Sequence, residues 1–430
     1  MEAPVADRGR RAPAEPAGTT ATTAHARSAV EWQAAVTVTD DAPARLAEGL
    51  LRRIGERLRR PVPEPYADVL RAVPRHLFLP ERVWVRDGSG GYRSVDRRVD
   101  AEGWLAAAYD DAPLVTQFRT TDDGARIPSS SASMPSMLVR ALELAALDDG
   151  MRVLEIGTGT GFNAALLCAR LGADRVTTVE VDPGLYAEAG RNLTAAGFTP
   201  RRVLGDGAEG EPGGGPYERV LATCSVRAVP PAWPAQTAPY GRIVTPWDSP
   251  WCCYGTLTLT RRPDGTASGP FTAFGSYMVL RGQHTDAALD RGLPRAGEVP
   301  EETRTALSPW AVAGGDLDAE FHLGVTVPGA WFSWDSAPAA DAVHTRLWVA
   351  DTESTSWASV DYDGRDAASF RVRQHGPRRL WHEIEAAYGA WDRLDRPTIG
   401  HHTLTMTSSG ASTITTDRPS ALVSPRDLGP

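Results

Sequence analysis

Between residues 150 and about 260 the apolar positions change rhythm repeatedly. Short solid runs, "MRVLEIG", "RVTTVEVD", "RRVLGDG", "YERVLATCSV" and "GRIVTPW", read as buried strands, whereas "FNAALLCARLG" and "PGLYAEAGRNLTAAG" space their apolar residues at three and four and read as helices. Strands and helices alternating at this interval predict an α/β, doubly wound (Rossmann-like) parallel sheet with helices on both faces.

The flanks read differently. "ARLAEGLLRRIGERL" puts Leu46, Leu50, Leu51, Ile54 and Leu58 on one helical stripe, and Pro61, Pro63 and Pro65 end it. "YADVLRAV" continues the helical pattern, and the polar, glycine-bearing stretch Asp87 to Asp100 reads as a surface loop. Past Arg261, "RRPDGTASGPF" predicts a hairpin turn, with further strand through "AFGSYMVL". Residues 283–308 read as loop. From Trp310 onward tryptophan is frequent, and "PRRLWHEIEAAYGAWDRL" predicts an amphipathic helix with Leu380, Ile384, Tyr388 and Trp391 on one side. The expected organisation is a disordered tail over 1–28, a domain over 29–282 with N-terminal helices, and a C-terminal α+β extension over 283–430.

Composition narrows the function classes. A net charge of −9 argues against a chain that coats nucleic acid or anionic membrane. The N-terminal stretch lacks an apolar core and no segment approaches a membrane span, so no membrane contact is expected and the cytoplasm is the expected location. Cys168, Cys224, Cys252 and Cys253 form no CxxC pair, and no Cys/His set has metal-ligand spacing, so no metal site is expected.

Chemistry concentrates in "VLEIGTGTGFNAALL". Gly157, Gly159 and Gly161 follow a buried strand and open a helix, where glycine lets backbone approach a ligand. The spacing is G-x-G-x-G rather than the dinucleotide G-x-G-x-x-G. Glu180 ends the next strand, where a carboxylate can accept two ribose hydroxyls, and Asp206 and Gly207 end the third, beside an adenine edge. Together these fit a nucleoside with a cationic, phosphate-free tail: S-adenosyl-L-methionine. Glu155, just before the loop, is placed either to help hold the cationic end or to make structural hydrogen bonds.

Five separated motifs, "VPRHLFLPE", "YDDAPLV", "SMPSMLVRALEL", "VLEIGTGTG" and "GDG…PYERVLATCS…VPPAW", occur in the order found in protein L-isoaspartate O-methyltransferases. The chain resembles that family over about Ala67 to Trp247. "APLVTQ", "SSSASMPS", "ATCSVRAVPPAW" and "DGTASGPF" look like the subgroup accompanying ATP-grasp ligases and some lanthipeptide synthetases in ribosomal-peptide maturation. The resemblance implies a class I S-adenosylmethionine-dependent carboxyl O-methyltransferase. Its expected substrate is an aspartate of a modified, macrocyclic precursor peptide, whose methyl ester closes to a succinimide and opens to isoaspartate. Repair of isoaspartyl residues in damaged proteins is the alternative. Family position makes Ser133, two residues before Pro135, the residue beside the accepting carboxylate, with Met134 a departure from the family pattern.

Pro135 suits the first position of a helix, and a helix start offers N–H groups and positive dipole to an anion. Ser133 can cap that end or turn its hydroxyl to the substrate carboxylate. A carboxylate nucleophile is already ionised at neutral pH, so positioning rather than proton transfer is the role assigned to Ser133. Ser129, Ser130 and Ser131 read as a polar loop. Ser131, Met134, Tyr109 and Asp111 are the expected substrate-side residues, the last two with an equal claim to a structural role. His76 is expected to pin the N-terminal helices. The tryptophan-rich C-terminal region is expected to recognise the peptide.

Overall fold

The computed structural model describes residues 42–418, apart from 122–123, 285–292, 296, 337, 339–342 and 366. The expected tail over 1–28 therefore lies outside the described residues. The described chain divides into two compact units, one holding residues up to 223 with 232–244, the other 224–231 with 245 onward.

In the first unit, α1 (Ala42–Leu58) and α2 (Glu64–Ala72) lead into a four-stranded antiparallel sheet. That sheet comprises β1 (Arg82–Arg86), β2 (Tyr92–Asp96), β3 (Leu114–Thr120) and β4 (Arg126–Ala132), in the order β2-β1-β3-β4. Two expected loops are thus strands. Residues 92–96 pair with β1 because Asp87 closes the turn by accepting from the Ser89 and Gly91 amides. The Ser129–Ser131 run pairs with β3, where two successive hydroxyls find partners, Ser129 on Gln117 and Ser130 on Thr116. Between β2 and β3 lies α3 (Ala101–Ala108), capped by Asp100.

The alternation then runs as the sequence predicts. α4 (Pro135–Ala145), β5 (Val153–Ile156), α5 (Phe162–Leu171), β6 (Val176–Glu180), α6 (Pro183–Ala195), β7 (Arg201–Leu204), β8 (Tyr217–Ala222), the short α7 (Ala232–Gln236) and β9 (Thr237–Pro246) follow in turn. The strands are parallel in the order β9-β8-β5-β6-β7. Every residue of β5 and β6 is buried, as expected for strands covered on both faces. This order is the doubly wound α/β arrangement, and ligands of such sheets sit outside the carboxyl ends of the strands.

The second unit holds the antiparallel strands β10 (Thr256–Arg261) and β11 (Ala267–Thr272), then β12 (Glu301–Thr305), α8 (Pro309–Ala313) and α9 (Leu317–Thr326). β13 (Ala330–Asp335), β14 (Thr345–Asp351), β15 (Trp357–Tyr362), β16 (Phe370–His375), α10 (Leu380–Arg393), β17 (His402–Met406) and β18 (Ser412–Thr416) complete it. β12 falls in the expected loop 283–308, whereas "AFGSYMVL" makes only a lone bridge from Val279 to Ser225. A five-stranded sheet runs β12-β16-β15-β14-β13, and Leu347, Val349, Val360 and Val372 on one face bury Leu380, Trp381 and Ile384 of α10.

One sheet includes strands from both sides of the boundary expected at 282. β17 pairs with β11, Ala267 opposite Met406, so the hairpin before residue 282 and the chain after residue 400 share one sheet. The tryptophans are mostly core: Trp331, Trp357, Trp381 and Trp391 are each at most 2% exposed, and Trp310, at 42%, is the large exception.

Candidate active site

The glycine loop joins β5 to α5. Gly157, Gly159 and Gly161 all have positive φ, at 91°, 54° and 90°, which a side chain would strain. A Cβ on Gly157 would also fall 2.7 Å from the Thr223 hydroxyl oxygen. The Cβ direction of Gly159 instead meets the Ser131 carbonyl oxygen, at 3.9 Å, and nothing closer. The end of β4 therefore lies against the loop.

Glu180, 5% exposed at the end of β6, holds the loop from below. Its Oε2 accepts from the Gly159 amide at 2.9 Å and its Oε1 from the Asp182 amide at 3.0 Å. Each oxygen keeps a lone pair for a ribose hydroxyl. The Gly205 amide donates to the Glu180 carbonyl at 2.9 Å, which brings Asp206 and Gly207 beside it. Asp206 turns the chain by accepting from the Ala208 amide, and the Gly207 carbonyl accepts from Trp233 Nε1. Glycine backbone, an acidic strand end and an exposed Asp206 thus converge at the carboxyl ends of β5, β6 and β7, and they suit a nucleoside cofactor.

Glu155 belongs to the structural reading. It is fully buried, with one oxygen accepting from Asn163 Nδ2 at 2.8 Å and the other from the Thr178 hydroxyl at 2.5 Å. Burial pushes its carboxyl up to about 7, against the pull of those two donors. Both oxygens thus have protein donors, one on the first turn of α5 and one on β6, so Glu155 braces the loop.

The start of α4 is organised by residues other than Ser133. Met134, not Ser133, occupies the capping position and makes no side-chain cap. The anion at this helix start is Asp111, whose Oδ1 accepts from the Ser136 amide at 2.8 Å and whose Oδ2 accepts from Arg57 Nε at 2.6 Å. Asp111, 5% exposed, thus has one oxygen on the helix start and the other on Arg57. Tyr109 is likewise structural, 2% exposed with its hydroxyl on His76 Nδ1 at 2.8 Å. Burial holds that imidazole down, at about 4, so His76 is neutral where it meets Tyr109. Ser133 and Met134 remain half-buried, and among the described contacts the Ser133 hydroxyl has no protein partner.

Arg75, which the sequence reading passed over for its neighbour His76, holds the acceptor side together. Its guanidinium, 1% exposed, donates to the carbonyls of Ala108, Asp110 and Ala112 and to those of Ala132 and Ser133, the last at 2.9 Å. Gln117 was also missed. It donates to Asp182 at 3.3 Å and accepts from Ser129 at 2.8 Å, joining β3 and β4 to the start of α6. The only signal for either was membership of a quoted motif. Among the described residues no group of His, Cys, Asp and Glu could hold a metal ion, and no helix is long and apolar enough to cross a membrane.

Doubly wound sheet, glycine loop and acidic strand end fit an S-adenosylmethionine-dependent methyltransferase, and the relatives below make it a carboxyl methyltransferase. The chain belongs to the protein-L-isoaspartate O-methyltransferase family. The profile described as protein-L-isoaspartate(D-aspartate) O-methyltransferase matches residues 91–262. The protein-L-isoaspartate O-methyltransferase of Thermococcus onnurineus is 35% identical over 175 residues, spanning 40% of this chain and 79% of the relative. That of Anaeromyxobacter dehalogenans is 42% identical over 158 residues, spanning 36% and 66%. A solved protein-L-isoaspartate O-methyltransferase superposes with a TM-score of 0.49 at 21% identity, over 86% of this chain and 99% of the other.

Proposed function

We propose that the chain methylates a peptide carboxylate held beside Ser133, and that the acceptor is the free α-carboxylate of an isoaspartyl residue, whose side-chain carbonyl carries the peptide bond. The observation that carries this is the approach of β4 to the glycine loop at Ser131 and Gly159, which supports a position for Ser133, two residues on, at the lip of the cofactor cleft. The named relatives are isoaspartate enzymes, which favours this acceptor over the precursor peptide expected from the subgroup resemblance.

S-adenosylmethionine, when bound, supplies an electrophilic methyl group on a sulfonium. The chain's own work is to hold the nucleoside and align the acceptor. In this reading Glu180 takes the ribose hydroxyls, and Asp206 and Gly207 lie beside the base. The Ser133 hydroxyl donates to one acceptor oxygen while the other is left to attack. No base is required, because the carboxylate is ionised at neutral pH. Arg75, through the Ser133 carbonyl, keeps that hydroxyl in register with the loop.

Methylation of an aspartate in a maturing ribosomal peptide is a second reading, favoured by one observation. The five-stranded sheet over 301–375 lies outside the residues matched by the family profile. Incubating the protein with cofactor and matched isoaspartyl, aspartyl and cyclised aspartyl peptides tests both. Methyl ester on the isoaspartyl peptide is the expected result. Ester on the cyclised aspartyl peptide alone would replace the first reading with the second.

A further inference from the structure

The five-stranded sheet has two unlike faces. One is the apolar face that receives α10. On the other, the register aligns Asp335, Arg346, Asp361, Arg371 and Arg304 in one row across the strands. Ser333, Trp348, Ser359, Arg373 and Glu302 form the next row. Four guanidiniums thus stand against three carboxylates, in a chain whose overall charge is −9.

The charges are unevenly served. Asp361, 5% exposed, takes Arg346 at 2.6 and 3.1 Å and Arg371 at 3.2 and 2.9 Å. Arg371 also stands directly opposite Arg304, a like-charge pair that costs stability in a sheet. Arg373 comes no closer to Asp361 than 3.9 Å, and its Nε is buried with no hydrogen-bond partner. Next to it on the same face, the Ser359 hydroxyl is fully buried and also has none. Two adjacent buried donors without acceptors are unusual, since a buried donor left unpaired loses its hydration without a replacement partner. The Arg373 and Arg371 side chains remain 25% and 35% exposed, so the row can be reached from solvent. Trp348 lies against Arg346, its ring centroid 5.0 Å from the guanidinium carbon, and offers a flat aromatic wall beside the donors.

We propose that this face is a docking site for an acidic peptide segment, with one carboxylate side chain accepting from Arg373 and Ser359. A carboxylate matches the pair in charge and in acceptor count, and Arg is suited to bidentate capture of that group. The idea rests on the reading that the enzyme acts on peptides. It also relocates recognition from the tryptophans, which are mostly core, to the arginines of the adjoining sheet face.

The test is direct binding of a fluorescent Asp/Glu hexapeptide without isoaspartate to the full-length protein. Binding should weaken as salt rises, and the Asn/Gln version of the peptide should not bind. Arg373→Gln should weaken binding at least about tenfold. Ser359→Ala should weaken it about three- to tenfold while leaving the melting temperature equal or higher, because it deletes an unpaired donor. S-adenosylhomocysteine binding and thermal melting report whether each variant is folded. If Arg373→Gln melts early, Ser359→Ala still decides. Unchanged peptide affinity in a folded variant overturns the proposal, as does inorganic phosphate displacing the peptide with equal affinity. Methylation of a neutral isoaspartyl peptide is measured separately on the unmodified protein. Its absence would sink the acceptor assignment and leave the docking face standing.

Discussion

Glu180 is the residue on which cofactor binding should turn most sharply. Its carboxylate organises the Gly159 amide and keeps a lone pair on each oxygen for the ribose. Glu180→Ala removes charge-assisted acceptors and should weaken cofactor binding by about 1.5–3 kcal/mol, roughly 10- to 100-fold. Calorimetry with S-adenosylhomocysteine checks this. Ser133 should behave oppositely. Because its side chain caps nothing, Ser133→Ala should leave thermal stability and cofactor affinity in place and lower kcat. A fall in melting temperature with full activity would return Ser133 to a structural role. Glu155 gives a pH signature instead. Its folded pKa lies above the ordinary carboxyl value, near 7, so the native state holds the proton more tightly than the unfolded chain does. The stabilisation from this group is therefore present in acid and is lost as pH rises through about 7. Glu155→Gln, neutral at every pH, should flatten the decline in melting temperature across that window. An identical decline in the variant would mean that Glu155 is not the titrating group.

At the scale of elements, the strand–helix alternation over residues 150–246 was open to reading because both ligand and sheet demand it. Buried parallel strands need solid apolar runs, and a backbone approached by a ligand needs glycine. The polar stretches were opaque for a physical reason. "RIPSSSA" carries no apolar alternation, because β4 satisfies Ser129 and Ser130 through cross-strand hydroxyl and amide partners rather than by burial of carbon. The cap of α4 was equally hidden. Its acceptor, Asp111, comes from 25 residues upstream, whereas local pattern reading looks only at the adjoining Ser133. Asp111→Ala should therefore destabilise the fold by about 1–2 kcal/mol, mostly the cap, because Arg57 is half exposed and screened by solvent. Asp111→Asn, which keeps an acceptor for the Ser136 amide, should recover part of that loss in urea unfolding. Equal loss in both variants would assign the stabilisation to the Arg57 pair rather than to the cap.

For the whole molecule, the late return of β17 to β11 decides which parts can be separated. A chain ending at Gly282 reads from the sequence as a complete methyltransferase with its extension removed. In the structure that cut deletes the neighbour of β11 along Ala267, Ser268, Gly269 and Pro270. It also removes Leu404 and Met406, each 1% exposed, and His402, fully buried. The β11 edge would be left with unpaired amides and carbonyls beside newly exposed apolar surface, the usual template for association between chains. The truncated protein should melt earlier than the full chain and associate, although every motif of the glycine loop and of Ser133 is still present. Scanning calorimetry together with sedimentation reads both effects. A monomeric product melting like the full chain would show that β17 and β18 are dispensable, and would restore a divisible boundary at residue 282. Loss of methyl transfer in such a truncation cannot by itself speak for peptide recognition, because the same cut removes a strand of the sheet. Substitutions on the arginine face probe recognition without that damage, since Arg373 makes no hydrogen bond within the fold that its replacement would break.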